Sequence, residues 1–499
     1  MNPIDIIEKK RQFKELTQEE IMYFFKGFLN GEIPDYQMAA LLMAITINGM
    51  TTSEAIELTR VFVDSGITLD LSSIEGIKVD KHSTGGVGDK TTFVIAPVLA
   101  SCGLKVCKMS GRGLGFTGGT IDKLESIPGI KVSLSKEKIL EELNKVGMVI
   151  ASQSSDLAPL DRVIYALRDV TGTVSSLPLI ASSIMSKKIA LGTDYIFIDL
   201  KVGKGALIKT QTEGEMLKEL MEQIALFYNK KVDVELTGMD EPLGYTVGNA
   251  LEVMEAMEVL KGNIHNKFTA LCSNIIISIL MKTKNITKEE AINISSHVIK
   301  NGDSYRKFEE FVKFQGGDLT KLRVASNLRI IKSPQDGFIK SIDALKIGHI
   351  VKNIGGGRIK KEDSILPGVG FYFFKESSDP VKKGENLCTL FYEDKDVNDN
   401  EILDAFTFTD TVVNEEEVKD IANEKGVFQG EAKDSISDQA LVDTMKLIPN
   451  IINKEENMVN LNDIKINPSS SSDKNNLSIE QGVGGVEIVG ESGKQPTTK

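Results

Sequence analysis

Apolar positions recur with a helical period through the start of the chain and later give way to short strands. Only helical periodicity appears over residues 4–66. Capping boxes at residues 17–20 and 51–54 place a threonine where it satisfies free amides of a first helical turn. Residues 35–48 are apolar on most sides and predict a buried helix that ends at Gly49. These features together predict a small all-α domain.

From Val79 onward, short β-rich runs alternate with longer helical stretches, which is typical of βα units around a mainly parallel sheet. The predicted strands cover residues 76–80, 104–109, 147–151 and 195–200. In such sheets, ligands bind beyond the carboxyl ends of the strands. We therefore expect the loops after the first two strands to share one edge.

The region over residues 331–392 is rich in glycines that separate short strand-like segments, and it predicts a small β-rich domain. Residues 343–347 superficially resemble the lysine hairpin of biotin or lipoyl carriers. No second carrier feature accompanies them, so a surface lysine in a strand is favoured. After about Val413 the chain becomes acidic, and its serine-rich part cannot bury enough apolar surface to offset ordering. Disorder is expected from about residue 455, with one candidate helix near 437–448.

The length of 499 residues exceeds one ordinary core, so several domains are expected. The predicted fold class is α/β: a small all-α domain, a mainly parallel α/β domain, a β-rich (α+β) domain and a tail. The all-α domain comprises residues 1–66 with about 160–192, and the α/β domain comprises 76–155 with 193–325. The β-rich domain covers residues 331–413, and the acidic low-complexity tail covers 414–499.

Composition narrows the possible partners. Lysine and arginine number 59 against 71 aspartates and glutamates, giving a net charge of −12. This balance argues against nucleic-acid or anionic-membrane binding but permits a local basic pocket. No signal-peptide pattern and no long apolar run appear, so no membrane span is predicted. The four cysteines have neither zinc spacing nor disulfide density, so buried reduced thiols in a cytoplasm are expected.

The first glycine loop, residues 81–89, follows a predicted strand and precedes a predicted helix. Gly85, Gly86 and Gly88 free the backbone so that amides can converge on an anion. A strand, a glycine turn and a helix N-terminus make a natural phosphate site. Lys81 adds a cation and His82 a titratable imidazole.

A second glycine loop, residues 110–120, follows the next predicted strand. Two partial matches to nucleotide-binding motifs in these loops are set aside. Residues 113–118 match the dinucleotide pattern without opening a helix directly from a strand, and in residues 88–91 Asp89 would place a carboxylate against a nucleotide phosphate. Donors for free phosphate are predicted at Lys81, Ser83, Thr92, Lys108, Ser110 and Thr120.

A third element lies on two predicted helices. Tyr165 and Arg168 are three residues apart, and Ser183 and Lys187 are four apart, so each pair shares a helical face. Pro178 suits the first turn of the second helix. A solvated charged face is the alternative explanation. Together with the two loops, the pattern favours a cationic platform for a polar, planar ligand.

Residues 81–89, 110–115, 117–125 and 166–171 resemble the thymidine and pyrimidine-nucleoside phosphorylases. The resemblance runs from the N-terminus to about residue 413. It implies a homodimer in which a small α domain closes on an α/β domain across a cleft for phosphate and nucleoside. The implied reaction is reversible phosphorolysis of uridine, thymidine and deoxyuridine to free base and pentose 1-phosphate.

The resemblance also implies roles for individual residues. His82, Arg168 and Lys187 would be catalytic, with His82 beside the base carbonyl. The implied pyrimidine-binding residues are Tyr165, Arg168, Ser183 and Lys187. The implied phosphate-binding residues are Lys81, His82, Ser83, Thr92, Lys108, Met109, Ser110 and Thr120. A potassium ion is implied near Gly88, Lys90, Leu243, Thr246 and Glu255, although Lys90 adds a positive charge there.

Two residues bear on specificity. Phe116 stands where many relatives carry histidine, and Lys108 matches the lysine of broad-specificity relatives. An anthranilate-type phosphoribosyltransferase is one alternative, with Asp240 and Glu241 as the nearby carboxylates for magnesium and pyrophosphate. A non-catalytic nucleoside-binding protein is the other.

Overall fold

The computed structural model describes residues 1–113, 118–153, 156–358, 360, 363–411 and 427. Helices fill the first part of the chain and then alternate with strands. The α-helices are α1 Pro3–Arg11, α2 Gln18–Leu29, α3 Asp35–Asn48, α4 Thr52–Asp64, α5 Thr91–Ser101, α6 Thr120–Glu125, α7 Lys136–Lys145, α8 Pro159–Thr171, α9 Leu177–Ala190, α10 Gln211–Phe227, α11 Asn249–Leu260, α12 Lys267–Lys284, α13 Lys288–Lys300, α14 Asp303–Phe314, α15 Ala344–Val351 and α16 Asp399–Leu403.

The strands form one parallel and two antiparallel sheets. The strands are β1 Lys78–Ser83, β2 Lys105–Ser110, β3 Met148–Ser152, β4 Tyr195–Val202, β5 Lys231–Gly238, β6 Thr246–Val247, β7 Asn327–Lys332, β8 Gly337–Ile342, β9 Gly370–Phe373, β10 Pro380–Val381, β11 Asn386–Tyr392 and β12 Phe406–Thr409.

The N-terminal helices share a core with α8. Both predicted capping boxes are present at the starts of α2 and α4. Helix α3 has the predicted bounds and its stop at Gly49, but the prediction that it is buried on most sides is wrong. Met38 and Leu41 are buried, whereas Tyr36 and Ile47 are 75% and 72% exposed. The helix therefore keeps an apolar stripe that its own domain does not cover.

The parallel sheet has the strand order β3-β2-β1-β4-β5. The strand predicted at 76–80 begins two residues later and runs to Ser83, because Lys81 and His82 pair with β4 in register. Strand β5 was not predicted; alternating polar residues over 231–238 leave it only half buried. The carboxyl ends of β1 and β2 are neighbours, as the alternation predicts.

The C-terminal region is β-rich as predicted, with sheet orders β10-β8-β12 and β6-β9-β11-β7. Residues 343–347 do not form the expected strand. Asp343 caps helix α15, and Lys346 lies on that helix with its Nζ 2.6 Å from the carbonyl of Asp404. The tail predictions lie outside the described residues except at Val427, which is buried between α12 and α13. Across the described ranges, no helix is both long and apolar enough to cross a membrane.

Candidate active site

The first glycine loop connects β1 to α5 at the carboxyl edge of the sheet. Gly85 and Gly88 have φ of 90° and 77°, the left-handed region that favours glycine. At Gly86 a Cβ atom would lie 2.5 Å from the sulfur of Met239, so a larger residue there would have to displace that side chain. Thr92 lies buried in the first turn of α5. The predicted strand, glycine turn and helix start are therefore all present.

Lys81 points inward from β1 and is fully buried. Its Nζ donates to Thr91 Oγ1 at 2.6 Å and to Asp199 Oδ2 at 3.0 Å. The other oxygen of Asp199 accepts from Lys201 at 2.9 Å. One carboxylate thus pairs with two ammonium groups, which offsets part of the cost of burying them.

Ser83 and Asp89 close the loop on itself. Ser83 Oγ donates to Asp89 and accepts from the amide of Gly85 at 3.2 Å. Burial would raise the pKa of Asp89, but the ammonium groups of Lys81 and Lys201 outweigh it and hold that pKa below the ordinary value. Asp89 therefore remains an anion, and Ser83 must turn from it to meet a ligand.

Lys108 on β2 lies against β1. Its Nζ donates to the carbonyl of Lys81 at 2.8 Å. Burial, with the ammonium groups of Lys188 and Lys81, lowers the pKa of Lys108 to about 7. Lys188 in turn pairs with Asp80 at 2.9 Å and lies 3.3 Å from the carbonyl of Met109. The edge is a cluster of cations that carboxylates only partly neutralise.

His82 is surrounded by this cluster. Removal from water, followed by the ammonium groups of Lys188 and Lys108, lowers the pKa of His82 well below its ordinary value. Its Nδ1 has no hydrogen-bond partner among the described residues. The ring is therefore neutral near pH 7 and retains free hydrogen-bonding capacity.

The second glycine loop begins at Ser110, the last residue of β2, and ends at Thr120, the first of α6. Asp122 holds the two ends of this loop together, because its carboxylate accepts hydrogen bonds from the amides of Gly113, at 2.5 Å, and Gly119. Lys123 donates to the carbonyl of Asp89 at 2.6 Å, which ties the two loops together. Phe116 lies outside the described residues.

Arg168, on α8, is fully buried and donates to three backbone carbonyls. The acceptors are Thr173, Leu179 and Val174, at 3.1, 3.2 and 2.7 Å. Both terminal nitrogens carry a second N–H that can still donate to a ligand. The guanidinium is thus fixed in place, and no carboxylate of the described residues forms an ion pair with it, although the charge of Asp161 acts on it from farther away.

Lys187, on α9, faces the same point. Its Nζ contacts Asp161 and lies 2.9 Å from Ser183 Oγ. The Tyr165 ring lies 5.5 Å from the Arg168 guanidinium and 6.0 Å from Lys187 Nζ. The four predicted residues therefore form one surface, which we call the pyrimidine face: Tyr165, Arg168, Ser183 and Lys187. The loop side, with Lys81, Ser83, Lys108 and Ser110, is called the phosphate edge.

The five residues implied for potassium also come together, but their arrangement does not fit the ion. Lys90 Nζ is bonded to the carbonyls of Leu243 and Thr246 and to Glu255. The carbonyl of Gly88 accepts from the amide of Lys90. The oxygens that would hold a potassium ion already hold an ammonium.

Sequence reasoning missed the carboxylates that hold the cations: Asp80, Asp161 and Asp199. A signal existed for Asp199, because a charged residue within an apolar strand requires a partner. Asp161 had no such signal, since the first turn of a helix is an ordinary place for aspartate.

Comparison with known proteins identifies the class defined by this fold and site. Three family descriptions match in chain order. They are the glycosyl transferase family helical bundle domain over residues 4–66, the glycosyl transferase family a/b domain over 75–305, and the pyrimidine nucleoside phosphorylase C-terminal domain over 338–407. The class is therefore a glycosyltransferase with a helical bundle and an α/β domain.

Individual relatives narrow the class. The pyrimidine-nucleoside phosphorylase of Geobacillus stearothermophilus is 45% identical over 80% of this chain and 94% of its own. Those of Bacillus subtilis strain 168 and Staphylococcus epidermidis RP62A are each 46% identical with the same coverage. The chain belongs to the pyrimidine-nucleoside phosphorylase family, which confirms the resemblance seen in its motifs.

A solved structure shares the architecture at much lower identity. Anthranilate phosphoribosyltransferase from Thermus thermophilus matches with a TM-score of 0.50 and 18% identity, over 62% of this chain and 99% of that one. At this identity the likeness shows a common fold alone.

Proposed function

We propose that the protein is a pentosyltransferase that catalyses reversible phosphorolysis of pyrimidine nucleosides. Uridine, thymidine and deoxyuridine would react with phosphate to give the free base and α-pentose 1-phosphate. The observation that carries the proposal is the pairing of an anion-binding phosphate edge with a cationic pyrimidine face in a member of this family.

In the proposed reaction, a phosphate oxygen attacks C1′ of the sugar as the bond from C1′ to the base nitrogen breaks. The bonding electron pair leaves with the base, so negative charge develops on the heterocycle and positive charge on the sugar. Arg168 and Lys187 would stabilise the departing base because their charge is in place before the bond breaks. Closure of the α domain would exclude water from the sugar.

His82 contributes a hydrogen bond in this proposal. A ring whose pKa is lowered well below its ordinary value is a poor source of a full proton near pH 7. A neutral imidazole still donates one N–H, and the carbonyl oxygen of the base is the acceptor we assign to it. Its role is thus to stabilise charge on the base by hydrogen bonding.

Lys108 supports broad substrate specificity. Its Nζ is buried at the junction of β1 and β2, and we assign to it a contact with a ribose hydroxyl as well as with phosphate, which would favour turnover of uridine alongside thymidine. Comparing kcat/KM for the two nucleosides tests this assignment. A thymidine-only enzyme would contradict it.

Assembly and location are further parts of the proposal. The exposed apolar stripe of α3, with Tyr36 and Ile47, supports a homodimer formed through the α domain. The four cysteines are free and buried, which supports a cytoplasmic location. Equilibrium sedimentation of the full chain tests the dimer.

Ultraviolet monitoring of uracil and thymine release, with and without phosphate, tests the function. We expect release that requires phosphate. Activity that needs phosphoribosyl pyrophosphate and magnesium instead would establish the phosphoribosyltransferase alternative. Binding of nucleoside without any product would establish a non-catalytic binding protein.

A further inference from the structure

The side chain of Lys90 turns inward beneath the first glycine loop into a pocket of oxygen atoms. Its Nζ donates to the carbonyl of Leu243, to the carbonyl of Thr246 at 3.0 Å, and to Glu255 Oε2 at 2.8 Å. The Phe268 ring lies 4.9 Å away on another side. Lys90 is fully buried and Glu255 nearly so. The ammonium is thus removed from water and bonded to protein oxygens.

Two carbonyl oxygens and a carboxylate around one point are the donor set that replaces the hydration shell of an alkali cation. We propose that the Lys90 ammonium takes the place of a bound monovalent cation, so that this protein needs no potassium. The oxygens that could bind the ion are present, and the side chain of Lys90 supplies the positive charge that they neutralise. This inference concerns the stability of the fold and does not depend on the reaction proposed above.

The atoms around the ammonium are closely packed. A Cβ atom on Gly244 would lie 2.3 Å from Glu255 Oε1 and 3.0 Å from Lys90 Nζ. A Cβ atom on Gly88 would lie 2.7 Å from the carbonyl oxygen of Leu243. A potassium ion could bind to these oxygens only by displacing the ammonium. Otherwise the two positive charges would share the same oxygens, and like charges repel strongly in a buried site.

The Lys90 ammonium links the phosphate edge to neighbouring parts of the fold. Lys90 immediately precedes α5 and follows Asp89, which closes the glycine loop. Its partners belong to the 243–246 segment and to α11, and Thr246 begins β6 in a C-terminal sheet. A tethered cation ties these elements together at any potassium concentration, whereas a free ion would do so only near or above its dissociation constant.

Thermal unfolding of the full-length protein tests the inference. The wild type, Lys90→Ser and Lys90→Met are compared in potassium chloride and in tetramethylammonium chloride at equal ionic strength. We expect no potassium-specific change in the wild-type Tm. Lys90→Ser vacates the pocket, and its lowered Tm should recover saturably by about 2–4 °C with potassium. Lys90→Met fills the pocket without a charge and should be destabilised with no recovery.

Lys123→Ser is the matched control. Lys123 is equally buried and pairs with Glu252, but among the described residues it donates to one carbonyl, that of Asp89. We expect destabilisation without potassium-specific recovery. A saturable effect of potassium on the wild-type Tm would overturn the inference. A Lys90→Ser variant whose Tm does not respond to potassium would also overturn it, as would an equal recovery of Tm in Lys123→Ser. If Lys90→Ser does not fold, the wild-type and Lys90→Met measurements still decide whether potassium binds.

Discussion

The phosphate edge and the pyrimidine face are both cationic, but they hold their charges in different ways. Carboxylates pair with the lysines of the phosphate edge and its surroundings, as Asp199 does with Lys81 and Lys201. On the pyrimidine face, neutral backbone carbonyls fix Arg168, and in the part of the chain that the structure describes Lys187 alone has a carboxylate partner. Carboxylates and a lowered lysine pKa thus compensate much of the charge at the phosphate edge, whereas the Arg168 charge has no ion-pair partner among the described residues.

The difference matches the charges of the ligands that we propose for the two regions. Phosphate arrives as an anion, so the edge must hold cations together in its absence, and carboxylates together with lowered lysine and histidine pKa values make that possible. The base is neutral when it arrives and becomes negative only as its bond breaks. A fixed, uncompensated guanidinium favours that later state over the earlier one.

The largest expected effect is on the pyrimidine face. Lys187→Met should lower kcat/KM for uridine by about 10²–10³-fold, because a preorganised charge beside the departing base is lost. Steady-state kinetics measure this change. The substitution also leaves the buried Asp161 unpaired, which by itself would lower Tm.

The double variant Asp161→Asn/Lys187→Met separates the two effects. It removes both charges, so Tm should return toward the wild-type value while activity stays low. Recovery of activity along with Tm would show that Lys187 serves only to neutralise Asp161.

At the phosphate edge, Lys81→Met should raise the KM for phosphate by about 10–100-fold, since a charge-assisted hydrogen bond contributes roughly 1.5–3 kcal/mol. Lys201→Met is the matched control, because Lys201 shares Asp199 and is equally buried. The two substitutions should lower Tm by similar amounts. Equal rises in phosphate KM would contradict a direct role for Lys81.

A smaller expected effect is a dependence of phosphate affinity on pH at the phosphate edge. The pKa of Lys108 is lowered to about 7, so above pH 7 the free protein must take up a proton before Lys108 meets an anion. Phosphate affinity should therefore fall as pH rises from about 7 to 10, by up to about tenfold per unit. Calorimetry at pH 8.5 in buffers of different ionisation enthalpy should detect proton uptake that Lys108→Met abolishes.

Sulfate provides the control for that measurement, because its own charge does not change over this range. The same proton uptake with sulfate would assign the effect to the protein. Unchanged uptake in Lys108→Met would place the titrating group elsewhere in the cluster.

The smallest expected effect concerns His82. Because its pKa lies well below the ordinary value, kcat/KM should show no acid limb from His82 between pH 6 and 8. His82→Asn keeps an N–H donor and should retain activity within about tenfold of the wild type, whereas His82→Ala should lose more. A loss of activity as pH rises through about 6.5 that disappears in His82→Asn would show that the imidazolium is the active form.

Much of the fold was predictable because the determinants are local. Helix periodicity, the Thr17 and Thr51 capping boxes and the glycine loops after β1 and β2 depend on neighbours in the chain. The predictions failed where distant contacts decide. Pairing with β4 extended β1 through Lys81, and half-buried β5 carried too few apolar residues to reveal itself.

The sequence alone determined which groups the site contains and the family to which the chain belongs, because those depend on residue types at short spacing. Only the tertiary structure decided how each charge is compensated. Lys81 meets Asp199 across 118 residues, and Lys90 meets the carbonyl of Thr246 across 156. The free energy of a buried charge depends on whatever the fold brings within a few ångströms, and spacing along the chain does not encode that distance.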